Sequence, residues 1–427
     1  MNSTNVVELR RVFDLDWIIR DPKGLEKKFR DKGVIVDCQQ IVDMYLNLNE
    51  LRTTRDRMRN EQKRASAMMR DKTKVTPQIK DTCAQLSKKV KQLNCEIDGV
   101  EKQLYEILVT LPNPPADGVC PGGKECNEVI KIYGEKPQFD FEPRDHVTIA
   151  TDLKLVDYER ARKIANEGFS LYTGQGALLE WALLQFFYET HYRDGYTPLF
   201  LPVMLNEMCG FTTGQFPKFK DEVYRVDDGK HFLNPTAETG IINFHRDDIL
   251  DMNELPKRYY AYTPCFRVEA GSSRMEERGM IRTHQFNKVE MIQFAHPDHS
   301  TESLWEMLEK AERLMQELGL HYRVSKLAAE DCSYAMATTY DVEVWIPSMG
   351  IYKEVSSVSN AYDFQARRGN IRFKDENGKK HFVHTLNASG LATSRVFPAI
   401  LEQYQTADGR VKVPEVLRKY IPFEYIG

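Results

Sequence analysis

Two runs of regularly spaced apolar residues constrain the fold of this chain more than any other feature. In each run the apolar positions recur in steps of three and four, and a polar break at Asp71–Pro77 separates the runs. The first run comprises Ile41, Met44, Leu48, Leu51, Arg55, Met58, Gln62, Ala65 and Met69, and the second Ile79, Cys83, Leu86, Val90, Leu93, Ile97, Val100, Leu104 and Ile107. This spacing predicts two helices packed antiparallel as a coiled-coil hairpin, about 45 Å long. Because Arg55 and Gln62 interrupt the first apolar seam, we expect looser packing toward the tip.

The charge of this hairpin differs from that of the whole chain. Between Arg52 and Lys91 there are 13 Lys and Arg residues and four acidic residues, a net charge of +9, whereas the whole chain carries −4. The solvated flanks of a coiled coil usually mix both signs, so an ordinary solvated surface is the less favoured explanation. A basic stripe with few aromatic residues predicts binding to the phosphates of a folded RNA, by shape rather than by base stacking.

Length and composition narrow the class of protein. A chain of 427 residues suits two or three domains, and 41% hydrophobic with 29% charged residues is ordinary for a globular protein. No apolar run approaches the ~18 residues of a membrane span, and the N-terminal segment lacks the apolar region of a secretory signal. Eight cysteines occur without a CxxC pair, and Cys120 and Cys126 have no partner pair at zinc spacing. We therefore expect reduced thiols, no zinc, no membrane association and a cytoplasmic location.

A hairpin is predicted in the middle of the chain. Tyr259–Arg267 and Gln285–Phe294 alternate apolar and polar side chains, which predicts two strands joined by a long loop. Glycine, serine and charged residues fill that loop: Gly271, Ser272, Ser273, Arg274, Glu276, Glu277, Arg278, Gly279 and Arg282.

Ionic side chains occupy the predicted strands at positions where a half-buried strand is usually apolar. By the two-residue period, Arg267 and Glu269 share one face of the first strand, and Lys288 and Glu290 share one face of the second. A guanidinium suits a phosphate group, and a neighbouring carboxylate can accept hydrogen bonds from an amino group. From these residues alone, a nucleotide site and a surface hairpin with alternating ion pairs fit the pattern equally well.

The remaining pattern predicts a mixed α and β domain. We predict a strand, a turn and a helix within residues 13–30, helices at Ala177–Tyr192, after Ser300 and at Asn387–Gln405, and strands at Tyr322–Leu327, Tyr340–Ile346 and Tyr352–Val358. The apolar helix at Ala177–Tyr192 and the strand broken by Pro198 and Pro202 suit a sheet edge covered by a second subunit, and from these residues alone an ordinary internal helix and strand fit almost equally well. Successive strands with helices on one face indicate an α+β fold with an antiparallel sheet.

Four sequence blocks, in order along the chain, are similar to those of one family. FRVEAGSS…RGMIRTHQFNKVEM resembles motif 2 of class II aminoacyl-tRNA synthetases in the form found in seryl-tRNA synthetases. NPTAET at 234–239, YKEVSSVSNAYDFQARR at 352–368 and NASGLATSRVFPAILEQYQTADGRVKVPEVL at 387–417 continue the resemblance. It implies a class II catalytic domain at residues 116–427 and an N-terminal tRNA-binding domain at 1–115, with the coiled-coil arm at about 31–108.

The same resemblance implies a homodimeric ligase that uses ATP, Mg²⁺, L-serine and tRNA(Ser), with Arg267 and Arg395 as catalytic residues. The implied ATP-binding residues are Arg267, Val268, Glu269, Thr283, Phe286, Glu354, Val355, Ser356, Ser357 and Arg395. The implied serine-binding residues are Thr236, Ala237, Glu238, Arg267, Glu290, Asn387 and Ser389. Glu354 and Ser357 would hold Mg²⁺, and Arg55, Arg59, Lys63 and Arg64 would contact tRNA. Whether the selenocysteine tRNA is also a substrate stays open.

At two of these blocks the residues differ from those usual in the family. Motif 3 commonly reads NGSGLAVGR, so Ala388 and Ser394 stand at glycine positions here. Val358 and Ala361 stand where the family usually has cysteine or threonine. These departures concern the detail of the substrate pocket and leave every charged site residue in place.

Two other functions compete with this reading. A class II synthetase for threonine or proline is disfavoured, because those families carry a further anticodon-binding domain and only 32 residues follow Arg395. A catalytically inactive RNA-binding relative would be expected to lose charged site residues, and Arg267, Glu290, Glu354 and Arg395 are all present.

Overall fold

The computed structural model describes residues 6–70, 76–269 and 279–427. Contacts divide the chain into two compact units, Met1–Pro112 and Asn113–Gly427. Two predicted segments lie outside the described residues: positions 71–75 of the helix connection, and positions 271–278 of the hairpin loop, which include Gly271, Ser272, Ser273, Arg274, Glu276, Glu277 and Arg278.

The N-terminal unit is helical. Its elements are α1 (Val6–Val12), α2 (Leu15–Arg20), α3 (Pro22–Asp31), α4 (Cys38–Arg70) and α5 (Pro77–Leu108). The strand predicted within residues 13–30 is wrong, because aspartates in that segment start helices. Asp14 accepts hydrogen bonds from the backbone N–H groups of Asp16 and Trp17. Asp21 accepts one from Gly24, with Pro22 in the first turn of α3.

The two long helices form the predicted antiparallel pair. Arg52 on α4 forms an ion pair with Glu101 on α5. Further along α4, Gln62 donates a hydrogen bond of 2.7 Å to Ser87, which precedes Glu101 in α5. From Arg52 to Gln62 the residue number rises along α4, while that of the partner falls from Glu101 to Ser87 along α5. The two helices are therefore antiparallel. Thr76 starts α5 by accepting a hydrogen bond from the backbone of Ile79.

Packing within this pair is uneven along its length. Leu48 and Leu104 are fully buried, whereas the seam positions from Leu51 to Ala65 on α4 are only half-buried. The predicted loosening toward the tip is therefore confirmed. Polar residues in the seam leave less apolar surface to bury, so the distal part gains less from the hydrophobic effect.

The C-terminal unit is built around one large sheet. Its strands are β1 (Glu128–Tyr133), β2 (Thr197–Pro198), β3 (Met204–Asn206), β4 (Arg225–Val226), β5 (His231–Leu233), β6 (Ile249–Asp251), β7 (Lys257–Phe266), β8 (Gln285–Ala295), β9 (Tyr322–Lys326), β10 (Thr338–Ile346), β11 (Ile351–Asn360), β12 (Arg372–Lys374), β13 (Lys380–Phe382), β14 (His384–Ala392), β15 (Val411–Lys412) and β16 (Tyr425–Ile426). The order in the large sheet is β1-β9-β10-β11-β14-β8-β7-β2, and the other strands form small sheets. Neighbours in the large sheet are antiparallel, except that β2 runs parallel to β7 at the edge. The predicted α+β fold with an antiparallel sheet is confirmed.

Helices pack against both faces of this sheet, so the expectation of helices on one face is wrong. They are α6 (His146–Asp152), α7 (Tyr158–Ala165), α8 (Gly174–Arg193), α9 (Glu207–Thr212), α10 (Ala237–Asn243), α11 (Ser300–Glu317), α12 (Phe364–Gly369) and α13 (Thr393–Gln403). α8, α11 and α13 share the main hydrophobic core with Met291 of β8, whereas α10 and α12 pack in a second core with Ile292. Successive residues of β8 thus face opposite sides, as the two-residue period requires. Among the helices that the structure describes, none has the length and apolarity needed to cross a membrane.

The helix predicted at Asn387–Gln405 begins later than expected. Residues up to Ala392 form the central strand β14, and α13 starts at Thr393. β14 pairs with β11 on one side and β8 on the other, and these long-range hydrogen bonds override the local pattern. Glycine is needed at position 390, because a Cβ there would lie 2.3 Å from His191 Nε2.

Candidate active site

A cavity of about 1120 Å³ opens on the sheet of the C-terminal unit. It collects most of the predicted ligand-binding residues: Thr236, Glu238, Arg267, Glu269, Thr283, Phe286, Glu290, Glu354, Val355, Ser357, Asn387, Ser389 and Arg395. Three predicted residues do not line it. Ala237 is fully buried in α10, the Val268 N–H donates to the Glu222 carbonyl, and the Ser356 hydroxyl donates to the Ser389 carbonyl at 2.6 Å.

Strand register brings a carboxylate and two small polar residues together. Glu290 on β8 lies opposite Ser389 on β14. Glu290 is fully buried, forms an ion pair with Lys288, and accepts a hydrogen bond of 3.2 Å from the Asn387 side chain. Lys288 Nζ in turn donates to the Thr236 hydroxyl at 2.8 Å. The result is a small polar pocket with hydroxyl, amide, cationic and anionic groups.

A second buried carboxylate, Glu238, lies at the N-terminus of α10 beside this pocket. It is 8% exposed and accepts a hydrogen bond of 2.7 Å from the Gln365 side chain. Burial, and then the charge of Glu290, raise the pKa of Glu238 to about 7. Glu238 can therefore change its charge close to neutral pH, and a bound cation would favour its ionised form.

Arg267 stands immediately after β7. Its guanidinium lies over the Phe286 ring at 5.1 Å, and its Nε donates to the Pro235 carbonyl at 3.3 Å. The expectation that Arg267 and Glu269 share a strand face is wrong, because β7 ends at Phe266 and Glu269 has a left-handed φ of 49°. The Arg267 N–H donates to the His284 carbonyl, which extends the pairing of β7 with β8 by one residue on each strand.

Two further predicted ATP-binding residues have partners within the protein. Glu269 accepts a hydrogen bond of 2.7 Å from Arg282 Nε. The Thr283 hydroxyl donates to the Gln285 carbonyl at 2.7 Å, and Thr283 is 6% exposed. Both residues border the cavity. Arg282, which also borders it, was predicted only as part of the charged loop.

Two acidic residues, Asp341 on β10 and Glu354 on β11, line another part of the cavity. Asp341 lies opposite Ser357, and Asp341 Oδ1 is buried without a hydrogen-bond partner. Burial, followed by the charge of Glu354, raises the pKa of Asp341 well above its usual range. Burial opposes ionisation of Glu354 as well, but the guanidinium groups of Arg395 and Arg267 prevail and lower its pKa. Arg395 Nη1 lies 3.2 Å from Glu354 Oε2 and donates to the Glu354 carbonyl at 2.8 Å.

Sequence reasoning assigned no role to two residues that this geometry makes prominent. From the sequence, Lys288 was only a charged residue in a predicted strand. Its contacts with Glu290 and Thr236 become visible only in the folded chain. Asp341 could have been noticed as a carboxylate inside an apolar strand. Its significance depends on the pairing of β10 with β11, which brings Ser357 opposite it.

The unusual residues of the sequence blocks occupy different environments. Ala388 and Val358 are paired across β14 and β11 and are fully buried in the main hydrophobic core. They therefore lie on the sheet face opposite Asn387 and Ser389. Ser394 is 7% exposed and borders the cavity. Of the two substituted glycine positions, only Ser394 can affect what the cavity accepts.

The basic residues predicted to contact RNA lie on α4. Arg59, Lys63 and Arg64 are exposed, whereas Arg55 is half-buried and donates a hydrogen bond of 2.9 Å to Asp56. Arg52, which was counted in the basic stripe, is largely buried against Glu101 and does not contribute to an outward-facing positive surface.

Two protein-family models match parts of this chain. Residues 12–115 match the model of the seryl-tRNA synthetase N-terminal domain. Residues 219–404 match the model of the tRNA synthetase class II core domain for glycine, histidine, proline, serine and threonine.

Full-length relatives extend these matches. The chain is 50% identical to serine–tRNA ligase 2 of Clostridium acetobutylicum, over 96% of this chain and 99% of that protein. It is 42% identical to the serine–tRNA ligase of Geotalea uraniireducens, over 96% and 98%. Among solved structures, seryl-tRNA synthetase from Pyrococcus horikoshii complexed with ATP superposes with a TM-score of 0.92 at 30% identity, covering 97% of this chain and 99% of that one. The chain belongs to the seryl-tRNA synthetase family of class II aminoacyl-tRNA synthetases.

Proposed function

We propose that the chain is a serine–tRNA ligase. It activates L-serine with ATP, releases pyrophosphate, and transfers the seryl group to the 3′ end of tRNA(Ser). The observation that carries the proposal is the pocket in which Glu290 and Ser389 face each other, with Asn387, Lys288 and Thr236 around them. Carboxylates suit the ammonium group of serine, and a polar pocket rejects alanine because its own hydrogen-bonding groups would stay unpaired.

Activation requires positioning and charge neutralisation rather than a covalent group on the protein. The serine carboxylate attacks the α-phosphorus of ATP, and pyrophosphate leaves. In this proposal Arg267 holds the α-phosphate and the serine carboxylate, and Glu269 accepts a hydrogen bond from the adenine amino group. Phe286 and Arg395 bind the two faces of the adenine ring, as an aromatic face and a planar guanidinium can. Thr283 supports the nearby backbone.

The donor set on β10 and β11 fits Mg²⁺. Glu354 and Ser357, together with Asp341, offer hard oxygen ligands, and the buried, unpartnered Asp341 Oδ1 is the atom that a cation would satisfy. Mg²⁺ bound there would neutralise the phosphate charges of ATP. Within the described ranges, no three His, Cys, Asp or Glu side chains are grouped to hold a metal ion. Two carboxylates and a hydroxyl leave positions for phosphate oxygens and water.

The two units divide the work in this proposal. The N-terminal domain, residues 1–115, binds tRNA(Ser) through Arg55, Arg59, Lys63 and Arg64 of the arm, and residues 116–427 carry out the chemistry. The support is the exposure of Arg59, Lys63 and Arg64 on α4.

The chain acts as a homodimer through the region of α8 and β2. Leu178 and Trp181 on α8, with Phe200 after β2, are 46%, 63% and 93% exposed, which is apolar surface suited to a partner. The cytoplasm is the proposed location, and the eight cysteines are free thiols, as a reducing compartment requires.

The test is serine-dependent exchange of pyrophosphate into ATP by the purified chain, followed by charging of tRNA(Ser). We expect exchange with serine and none with alanine, threonine or proline. Exchange with another amino acid in place of serine would identify that amino acid as the substrate. Exchange with no amino acid would indicate that the chain is an RNA-binding protein without synthetase activity. The same charging assay with selenocysteine tRNA decides whether that RNA is a second substrate.

A further inference from the structure

A buried carboxylate outside the cavity contacts the elements that carry the adenine-binding residues. Glu180 lies on α8 and is 5% exposed. Its Oε1 atom accepts a hydrogen bond of 2.5 Å from the Thr393 hydroxyl and one of 2.7 Å from the Asn287 side chain. None of these three residues borders the cavity. Asn287 and its neighbour Phe286 point to opposite faces of β8, so Glu180 acts from behind the sheet.

Both partners are close in sequence to the adenine-binding residues. Asn287 follows Phe286, and its Oδ1 also accepts a hydrogen bond of 3.0 Å from the Tyr262 hydroxyl on β7. Thr393 opens α13 two residues before Arg395, and its hydroxyl is also 3.2 Å from the Asn287 carbonyl. One carboxylate therefore connects α8, β8 and α13 at the positions from which Phe286 and Arg395 project.

We propose that Glu180 is a positioning residue for ATP: by holding Asn287 and Thr393, it fixes the separation and orientation of Phe286 and Arg395. The proposal rests on the adenine-binding roles proposed above for Phe286 and Arg395. A hydrogen bond to a charged acceptor is roughly twice as strong as one to a neutral acceptor. Ionised Glu180 should therefore hold both partners more firmly than protonated Glu180.

The surroundings of Glu180 give this arrangement a pH dependence. Burial raises the pKa of Glu180 to about 7, although the hydrogen bonds from Thr393 and Asn287 favour its charged form. The titratable groups that face it are Tyr172, before α8, and Tyr262 on β7, and burial raises the pKa of both phenols. Neither phenol ionises near neutral pH.

The cations on the neighbouring elements are engaged elsewhere. Lys288 of β8 and Arg395 of α13 pair with carboxylates that border the cavity. Glu180 Oε2 is buried without a hydrogen-bond partner. A proton added near pH 7 would bind at Oε2 and weaken the two hydrogen bonds at Oε1.

The first test replaces Glu180 by glutamine, which keeps an acceptor oxygen and removes the charge. In pyrophosphate exchange with the full chain, we expect the KM for ATP of Glu180→Gln to be about fivefold above wild type at pH 8 and within twofold at pH 6. The KM for serine should stay within twofold of wild type at both pH values. Glu189→Gln is the matched control, since Glu189 lies on the same helix with its side chain 43% exposed, and it should behave as wild type.

A second pair of variants tests the same link from α13. Thr393→Val removes the hydroxyl that Glu180 binds, whereas Thr393→Ser retains it. We expect the valine variant to show the same rise in the KM for ATP and the serine variant to match wild type. If Glu180→Gln does not fold, this pair decides the question.

The outcomes separate the positioning role from the proposed function. Equal values of the KM for ATP in wild type and Glu180→Gln at both pH values would overturn the positioning role. So would a change that falls equally on ATP and serine, because a merely structural defect would do that. A wild-type chain without serine-dependent exchange would instead overturn the proposed function. ATP binding to the same variants, measured by calorimetry, would then decide whether Glu180 matters for the nucleotide.

Discussion

The buried carboxylates of Glu238 on α10 and Glu290 on β8 lie beside the same pocket, and the side chains that they contact differ in charge. Lys288 forms an ion pair with Glu290, whereas the neutral side chain of Gln365 donates to Glu238. The charge of Glu290 adds to the effect of burial and raises the pKa of Glu238 to about 7. The pocket therefore gains one negative charge as the pH rises through neutrality.

This arrangement predicts that serine binds more tightly as the pH rises. Protonated Glu238 offers no charge to the ammonium group of serine, whereas ionised Glu238 does. For one group with a pKa of about 7, the KM for serine should fall roughly tenfold between pH 6 and pH 8. Pyrophosphate exchange at saturating ATP measures this change, and Glu238→Gln should flatten the profile. A wild-type KM for serine that is constant over this range would contradict the assignment.

Arg267→Ala should lower serine-dependent pyrophosphate exchange by at least 100-fold. The variant removes a preorganised cation from the place where charge develops, which costs on the order of 3–4 kcal/mol. The Tm should change little, because the guanidinium makes one long hydrogen bond to the Pro235 carbonyl. Arg258→Ala is the control, since Arg258 lies on β7, the strand that ends just before Arg267, and pairs with Glu306 away from the cavity. Exchange within threefold of wild type for Arg267→Ala would exclude the role.

Reversing the charge of Arg59, Lys63 and Arg64 to glutamate should separate the two reactions of the enzyme. Pyrophosphate exchange needs no tRNA and should stay near the wild-type rate. Charging of tRNA(Ser) should fall by at least an order of magnitude, and the salt dependence of tRNA binding should flatten by roughly one slope unit per lost phosphate contact.

A matched pair of single variants locates this effect on the arm. Lys63→Glu should weaken tRNA binding, whereas Lys102→Glu should not, because Lys102 is also exposed but lies outside the basic stripe, next to Glu106. Equal losses for both variants, or a loss of exchange and charging together, would show that the arm acts in another way.

Light scattering should find a dimer for the wild type and a monomer for Trp181→Glu. Trp181 is 63% exposed on α8, and a charge there would have to be buried in the proposed interface at a cost of several kcal/mol. Trp305→Glu is the control, because Trp305 is 47% exposed on α11, outside the proposed interface. A wild-type monomer that charges tRNA would rule out the need for a dimer.

Local patterns in the sequence were enough for much of the fold. The heptads predicted α4 and α5, and two-residue alternation predicted β7 and β8 within two residues of their bounds. Such periods are properties of neighbouring residues, so they survive without knowledge of the rest of the chain. The pattern failed at Asn387–Gln405, where β14 owes its conformation to pairing with β8 and β11.

The sequence by itself determined the family, because the order and the residues of four blocks can be recognised without coordinates. The same blocks pointed to the ionic residues of the proposed site. Only the tertiary structure decided what surrounds those residues. It brought Ser357 opposite Asp341, put Glu238 beside Glu290, and withdrew Arg52 from the basic stripe. The physical reason is that the pKa of an ionic group, and the strength of the ion pairs it forms, depend on burial and on its neighbours. Strand register and helix packing between distant segments set both.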